Sequence, residues 1–528
     1  MPQVRPAMAL SMRSRGIDRL LMTRCAAALV LATGCGHSTS AGPEPSDAGA
    51  ADVAATGPGA VSFPRGFRWG AATAAFQVES NDTNTDWSAW VAMPGKISNG
   101  DSPNDGGPDS LHHFDEDIAA MKAAGITAYR FSVEWARIYP TAAAFEANEP
   151  DPAGIGYYDA LLSKLRGAGI EPMVTLHHFA SPDYLADVTK GSAPQAWERP
   201  DMTREFVTFA ARMAARWGAQ VDYWITINEP VNLALGGYLQ GSFPPGQILA
   251  TDRMLAVLKA EARAHAGAYD AIHQADTVDA DGDGKAALVS LAAHQRTFHP
   301  YEEGNADDIA AAARVEYVFN DWVLNAIVKG DWDDDFDGAL TGPKDVTADP
   351  KLVGRADFVG VNYYSDTLVS AHRGLVLPII DAAVYLSNLP TARAKTDFGW
   401  DIYPEGLGTV LDKVNAYGLP VIVTENGLAD AADVNRSRFL LEHLYEVGWA
   451  IARGVPVMGY FHWALVDNFE WANGYCPHFG LLSYDKATGA RTARSSMATY
   501  RGIIERAAVL ASDVRAASPY RSATTICQ

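Results

Sequence analysis

The sequence predicts an α/β chain closed into a (β/α)8 TIM barrel as a single large domain. Three observations predict it. Eight short apolar runs recur from Phe63 onward, helical patterns rich in Ala lie between most of them, and no second linker interrupts the series. A chain of 528 residues with 48% apolar and 20% charged residues has enough apolar surface for such a core. The competing architecture, an open doubly wound sheet for a nucleotide, lacks its signature, because no GxGxxG follows the first run.

The runs are 67–71 (FRWGA), 127–133 (TAYRFSV), 171–176 (EPMVTL), 222–227 (DYWITI), 286–292 (AALVSLA), 357–361 (DFVGV), 420–424 (PVIVT) and 456–461 (PVMGYF). Helical patterns such as 115–124, 201–217 and 404–417 separate them. The residues after each run carry more chemistry than the runs. The first leads into Gln77 and Glu79; the second carries Arg130 and then Glu134; the third ends at His177 and His178. The fourth ends at Asn228-Glu229-Pro230, the sixth at Asn362-Tyr363-Tyr364, the seventh at Glu425-Asn426-Gly427 and the eighth at His462-Trp463. Polar and aromatic residues thus follow seven of the eight runs, on the rim where such barrels hold their active sites. Pro230 is expected to hold Glu229 in an extended conformation, and Gly427 to serve a sharp exit from the seventh strand. Two Glu on opposite sides of one rim are the pair that glycoside hydrolysis needs: an acid to protonate the leaving oxygen, and a carboxylate to attack or to activate water.

Four motifs together resemble glycoside hydrolase family 1, the β-glucosidase family, over roughly residues 63–505: FRWGAATAAFQVES (67–80), WITINEP (224–230), VIVTENGLA (421–429) and YFHWALVDNFEWANGYCPHFGLLSYD (460–485). The resemblance implies a retaining exo-β-glycosidase, foremost a β-glucosidase, acting on small β-glycosides or oligosaccharides without a cofactor. It implies Glu425 as nucleophile, Glu229 as general acid/base, and Asn228 at the sugar 2-hydroxyl. Arg130 and Tyr364 match neighbours that keep Glu425 ionised. Gln77, His178, Glu470 and Trp471 match contacts to the terminal sugar, Trp463 its aromatic floor, and Phe479 an aromatic bordering it. The family usually has Trp-Asp after the His matching His178; Phe179 and Ala180 stand there instead, so an indole N–H donor is lost. The stretch 365–400, with His372 and Arg373, reads as long and irregular, which leaves aglycone preference open.

Two other functions compete. A phospho-sugar hydrolase of the same family would carry a Ser/Lys/Tyr phosphate clamp where Glu470 and Trp471 stand. A non-catalytic tethered glycan-binding protein on the same barrel would have lost one of the two Glu, and both are present.

The ends and the charge supply the rest. Residues 1–34 read as a lipoprotein-type signal peptide: Arg13, Arg15, Arg19 and Arg24 precede the apolar Cys25–Ala32. Ala32–Cys35 (ATGC) resembles a lipoprotein cleavage box, placing a lipid anchor on Cys35 of an exported protein in a bacterial envelope; plain periplasmic or secreted export is the alternative. Residues 35–62 read as a flexible linker, 63–510 as the hydrolase domain and 511–528 as a tail expected to fray. The net charge of −21 is opposite to that of a nucleic-acid binder. Spacing does not say whether Cys476 and Cys527 pair. Asp279, Asp281 and Asp283 (DADGDG), and the similar DDDFDG at 333–338, resemble the first half of a calcium loop, but Ser290 and Lys344 stand where the closing Glu belongs. His112, His113, His265 and His273 read as structural, and Trp87 and Trp90 as packing.

Overall fold

The computed structural model describes residues 59–190, 193–371, 375–377, 382–385, 393–523 and 526–527. The signal segment, Cys35, most of the linker, and His372 and Arg373 lie outside them.

Eight parallel strands form the central sheet: β1 (Arg68–Thr73), β2 (Ala128–Ser132), β3 (Glu171–His177), β4 (Tyr223–Asn228), β5 (Leu288–Pro300), β6 (Val359–Ser370), β7 (Val421–Asn426) and β8 (Val457–Trp463). Each pairs with the next in sequence, and β8 returns to β1, so the expected barrel closes. The strands are apolar without alternation because both faces are covered. Every residue of β2, β4 and β7 is buried. One cluster fills the lumen, including Met173, Tyr223, Ile225, Phe358, Ile422 and Phe461. Gly70 is required there: a Cβ on it would lie 2.2 Å from the Phe461 ring.

Eight helices surround the sheet: α1 (Ser110–Ala123), α2 (Pro152–Ala168), α3 (Met202–Trp217), α4 (Thr251–Ala275), α5 (Ala306–Glu316), α6 (Pro404–Val414), α7 (Arg436–Ala452) and α8 (Ser495–Arg506). Their ends follow local chemistry. In α2 the Asp151 carboxylate caps the Gly154 amide, Pro152 opens the first turn and left-handed Gly169 closes the last. In α3 the buried Met202, Phe206, Phe209, Met213 and Trp217 recur at helical spacing and form its inward face.

The structure departs from expectation in four places. β5 continues past residue 292 to Pro300, and β6 past 361 to Ser370, paired from His294 opposite Asn362 to Pro300 opposite Val369 with a register shift between Gln295 and Thr297. Polar residues such as His294, Arg296 and Thr367 hide this extension from an apolar-run reading, yet they are buried. The described residues of the tail are held in place: Ala508–Leu510 pairs antiparallel with Ala60–Ser62, which lies inside the expected linker, and a short helix follows at Ala511–Ala516. The Tyr520 hydroxyl donates to Glu442 (2.5 Å), and Cys527 is disulfide-bonded to Cys476 with Cα atoms 5.6 Å apart. Glu229 is not extended but left-handed (φ 46°, ψ 60°), a costly conformation before proline; its amide is tied to the Ala292 carbonyl (2.8 Å). Gly427 is needed for close approach, not for its backbone angles: a Cβ there would lie 1.8 Å from the Trp463 carbonyl oxygen.

Asp279, Asp281 and Asp283 bring carboxylate oxygens within 4.8 Å of one another at the end of the barrel opposite the rim. Asp279 accepts from the Gly282 and Gly284 amides, and Asp281 Oδ2 from Arg68 Nη2 (3.1 Å). In the second loop Asp333 and Asp335 gather with Asp345.

Candidate active site

The C-terminal ends of the strands converge on one cavity of about 160 Å³, room for on the order of ten waters and so about the bulk of one hexose. Glu229 and Glu425 both line it, with His178, Asn228, Tyr364, Trp463, Glu470, Trp471 and Phe479. Gln77 and Arg130 stand behind, each bonded to a lining carboxylate. Every residue singled out for the sugar site is therefore in or against this cavity.

Glu425 is held from two sides. Arg130 Nη1 donates to Oε1 (2.5 Å), and the Tyr364 hydroxyl donates to Oε2 (2.6 Å). Arg130 also donates to Asn228 Oδ1 (2.7 Å) and Thr175 Oγ1 (3.0 Å), so one guanidinium aligns the ends of β3, β4 and β7. Burial pushes the Glu425 carboxyl up, and Arg130 and the Tyr364 hydrogen bond oppose it.

Glu229 has no such cation. Asn362 Nδ2 lies 2.8 Å from its Oε1, and the Asn232 amide 2.6 Å from its Oε2. Burial, and then the Glu425 charge, push its carboxyl up to about 8. The pair shares Asn362 as a neighbour; burial raises both carboxyls, and the guanidinium and phenol on Glu425 leave the resting proton on Glu229.

Around the pair lies a wall of polar atoms. His178 Nε2 faces Asn228 Nδ2 (3.1 Å), while its buried Nδ1 has no partner. Gln77 Nε2 donates to the Phe469 carbonyl (2.8 Å) and lies 3.2 Å from Glu470 Oε2; Gln77 Oε1, Asn468 Nδ2 and Asn473 Oδ1 are buried without partners. Glu470 is pushed up to about 8, first by burial and then by Glu425 and Glu229. Trp463 and Trp471 lie nearly parallel to the His178 ring (17° and 14°), giving flat faces. Phe179, left-handed at φ 70°, keeps the aromatic wall by packing edge-on against Trp471.

Other rim residues turn elsewhere. Glu79 accepts from Arg137 (2.9 Å) and the Tyr158 hydroxyl, in a buried network with Asp82. The Glu134 carboxylate faces the Ala136 amide, and His177 pairs with Ser181 (3.1 Å). The four histidines read as structural have ordinary partners: His112 with Asp109, His113 with Glu116, His265 with Thr226 and His273 with Asp357. Trp87 and Trp90 are buried, Trp87 packing on Trp471.

Sequence reasoning overlooked Asn232, His294, Arg296 and Trp400. Asn232 follows Glu229 by three residues in the helix Pro230–Tyr238, a spacing that brings side chains together. The fifth run was the one without rim residues; His294 and Arg296 are its missing contribution, two apart on one face of the lengthened strand.

A closed (β/α)8 barrel whose mouth presents two carboxylates, only one of them paired with a guanidinium, ringed by hydroxyl-binding groups and flat indoles, is a glycoside hydrolase barrel. More narrowly, this chain belongs to glycosyl hydrolase family 1, whose model matches residues 60–509. It is 32% identical over 501 residues to a β-galactosidase of Pyrococcus woesei, covering 84% of this chain and 97% of the relative. It is 33% identical over 467 residues to β-glucosidase A of Thermotoga maritima, covering 84% and 98%. Among solved structures, the β-glycosidase of Thermosphaera aggregans superposes with a TM-score of 0.74 at 26% identity, covering 87% of this chain and all of that one. The family 1 β-glucosidase of Thermotoga maritima gives 0.72 at 29%, covering 84% and 99%.

Proposed function

We propose that this protein is an exo-acting, retaining β-glycosidase, foremost a β-glucosidase, that removes the terminal non-reducing sugar from short oligosaccharides or aryl glycosides. The observation that carries the reading is the Glu229–Glu425 pair in one cavity, with a cation on Glu425 only. In the first step a Glu425 oxygen bonds to the anomeric carbon while Glu229 gives its proton to the departing glycosidic oxygen. Esterification removes the Glu425 charge, which had raised the Glu229 carboxyl. Glu229, now ionised and easier to keep so, takes a proton from water as that water displaces Glu425. Both inversions together retain the β configuration.

Asn228, fixed by Arg130 and Asn362, is placed for the 2-hydroxyl, where contacts tighten as positive charge develops on the ring. The unpartnered His178 Nδ1 and Gln77 Oε1, with Glu470, take the other hydroxyls, and Trp463 and Trp471 the ring faces. Hydrogen-bonding sites of this kind reject sugars that lack the matching hydroxyl. Outward, Phe243, Phe298, Phe319 and Trp400 give the leaving-group side an aromatic lining suited to flat aglycones.

The assignment is tested with Glu425→Ala and an activated aryl β-glucoside. Added azide is expected to restore turnover and yield an α-glycosyl azide; a β-azide from this variant reassigns the nucleophile.

Export with a lipid anchor on Cys35 belongs to the same proposal. The Arg-rich leader and ATGC box support it, as does the Cys476–Cys527 disulfide, a bond that persists in oxidising compartments.

A further inference from the structure

Glu229 ends a chain of buried polar groups that begins at an arginine. Arg296 is 6% exposed. Its amide donates to Asn320 Oδ1 (3.0 Å), and its Nη1 to Thr367 Oγ1 (3.0 Å). Its Nε lies 3.2 Å from His294 Nε2. His294 Nδ1 lies 2.7 Å from the Asn232 side-chain amide, and that same amide atom lies 2.6 Å from Glu229 Oε2.

Donor and acceptor counting leaves one arrangement. A guanidinium only donates, so His294 Nε2 must accept. Burial and the Arg296 charge hold His294 neutral, so its single proton is on Nδ1. Nδ1–H needs an acceptor, so Asn232 must turn its carbonyl oxygen toward His294; amide orientation is set by such networks. That oxygen also meets Glu229 Oε2, and two acceptors 2.6 Å apart require a proton between them. The proton can only belong to Glu229.

We propose that Arg296 is a positioning residue that keeps the catalytic proton on Glu229, by fixing the His294 tautomer and so turning the Asn232 carbonyl oxygen toward the acid. The proposal rests on Glu229 being the general acid. Around Glu229 stand Asn232 of the helix it opens, His294 and Arg296 from β5, Asn362 and Tyr364 from β6, Glu425 from β7, Glu470 beyond β8, Arg130 from β2 and His178 just after β3. Of these, Glu425 favours the protonated acid as a charge, Glu470 is itself held protonated by burial, and Arg130 and Arg296 as charges oppose the protonated acid. The relay gives Arg296 the reverse effect on Glu229, and the sign of its removal therefore separates the two.

The test is the alkaline limb of kcat/KM for a para-methoxyphenyl β-glucoside, whose poor leaving group needs the proton. In Arg296→Met the relay predicts a limb lower by about one pH unit, the worth of one hydrogen bond to the neutral acid. A dinitrophenyl glucoside should be little affected, and Arg296→Lys, which retains a donor and a charge, should restore most of the limb. An unmoved limb, or one moved upward as loss of a cation alone demands, overturns the proposal. A measurement on the unaltered protein covers failure of the variant to fold: long-range nitrogen–proton spectra of labelled histidine, assigned with His294→Gln, must show His294 as the Nδ1–H tautomer, and Nε2–H overturns the relay. The underlying role of Glu229 is read separately, from rescue of Glu229→Ala by azide to a β-glycosyl azide. If that rescue succeeds and the limb does not move, the relay alone fails.

Discussion

Esterifying Glu425 should lower the proton affinity of Glu229, and the drop can be sized. Glu229 stands at about 8, raised first by burial and second by the Glu425 charge. The burial contribution persists when Glu425 carries a sugar, whereas the charge disappears. At the roughly 5 Å separation a retaining pair requires, with an effective dielectric constant of about 20, that charge is worth about 3 kcal/mol, or about two pH units. The resting acid should therefore lose activity as pH rises through about 8, while the trapped intermediate should need Glu229 ionised only above about 6. The first value is read from the alkaline limb of kcat/KM on a glycoside with a poor leaving group. The second is read from the acid limb of reactivation after trapping with a fluorinated glycosyl donor. Limbs that coincide would mean that the Glu425 charge does not govern Glu229, and the acid-to-base exchange would need another cause.

Three further outcomes are expected. Glu79, Asp86, Glu229 and Glu470 are held protonated by burial at about 7, 7, 8 and 8; folded values above the unfolded ones add stability that is full below about pH 4 and lost as pH rises through 7 to 8, so Tm by scanning fluorimetry should fall from pH 5 to 8.5. Reduction of Cys476–Cys527, or Cys527→Ser, opens a loop spanning 51 residues of sequence; it should cost about 4 kcal/mol and a few degrees of Tm, and an unchanged melt would mean that the tail docks without it. Cys35→Ala should abolish labelling by radioactive palmitate and release the enzyme from membranes, whereas labelling that survives would move the anchor elsewhere.

The carboxylate pair of the cavity was legible because strand-end motifs keep their residues adjacent in sequence: INEP and TENG each bring a carboxylate with its neighbours. The barrel was legible because strands covered on both faces are apolar throughout. The fifth strand was read short for the same reason. From His294 to Thr297 its residues are polar, and their burial depends on partners far away in sequence, Asn320 and Thr367 among them. Glu229 defeated a local rule, since Pro230 alone argues for an extended residue, and tertiary ties to Ala292, Asn232 and Asn362 hold it left-handed instead. The tail defeated composition: its weak apolar pattern says little, but a disulfide and the Tyr520–Glu442 hydrogen bond hold it down.

By itself, the order of residues determined the barrel, its rim and the identity of the two carboxylates, because alternation of buried strand and helix and short motifs are local properties of the chain. Which carboxylate holds the proton was decided only in three dimensions. That choice depends on a guanidinium from β2 reaching Glu425, on Glu425 standing beside Glu229, and on the amides of Asn232 and Asn362 closing around the acid. Electrostatic and hydrogen-bond energies fall off over a few ångströms, and distances of that size are set by folding.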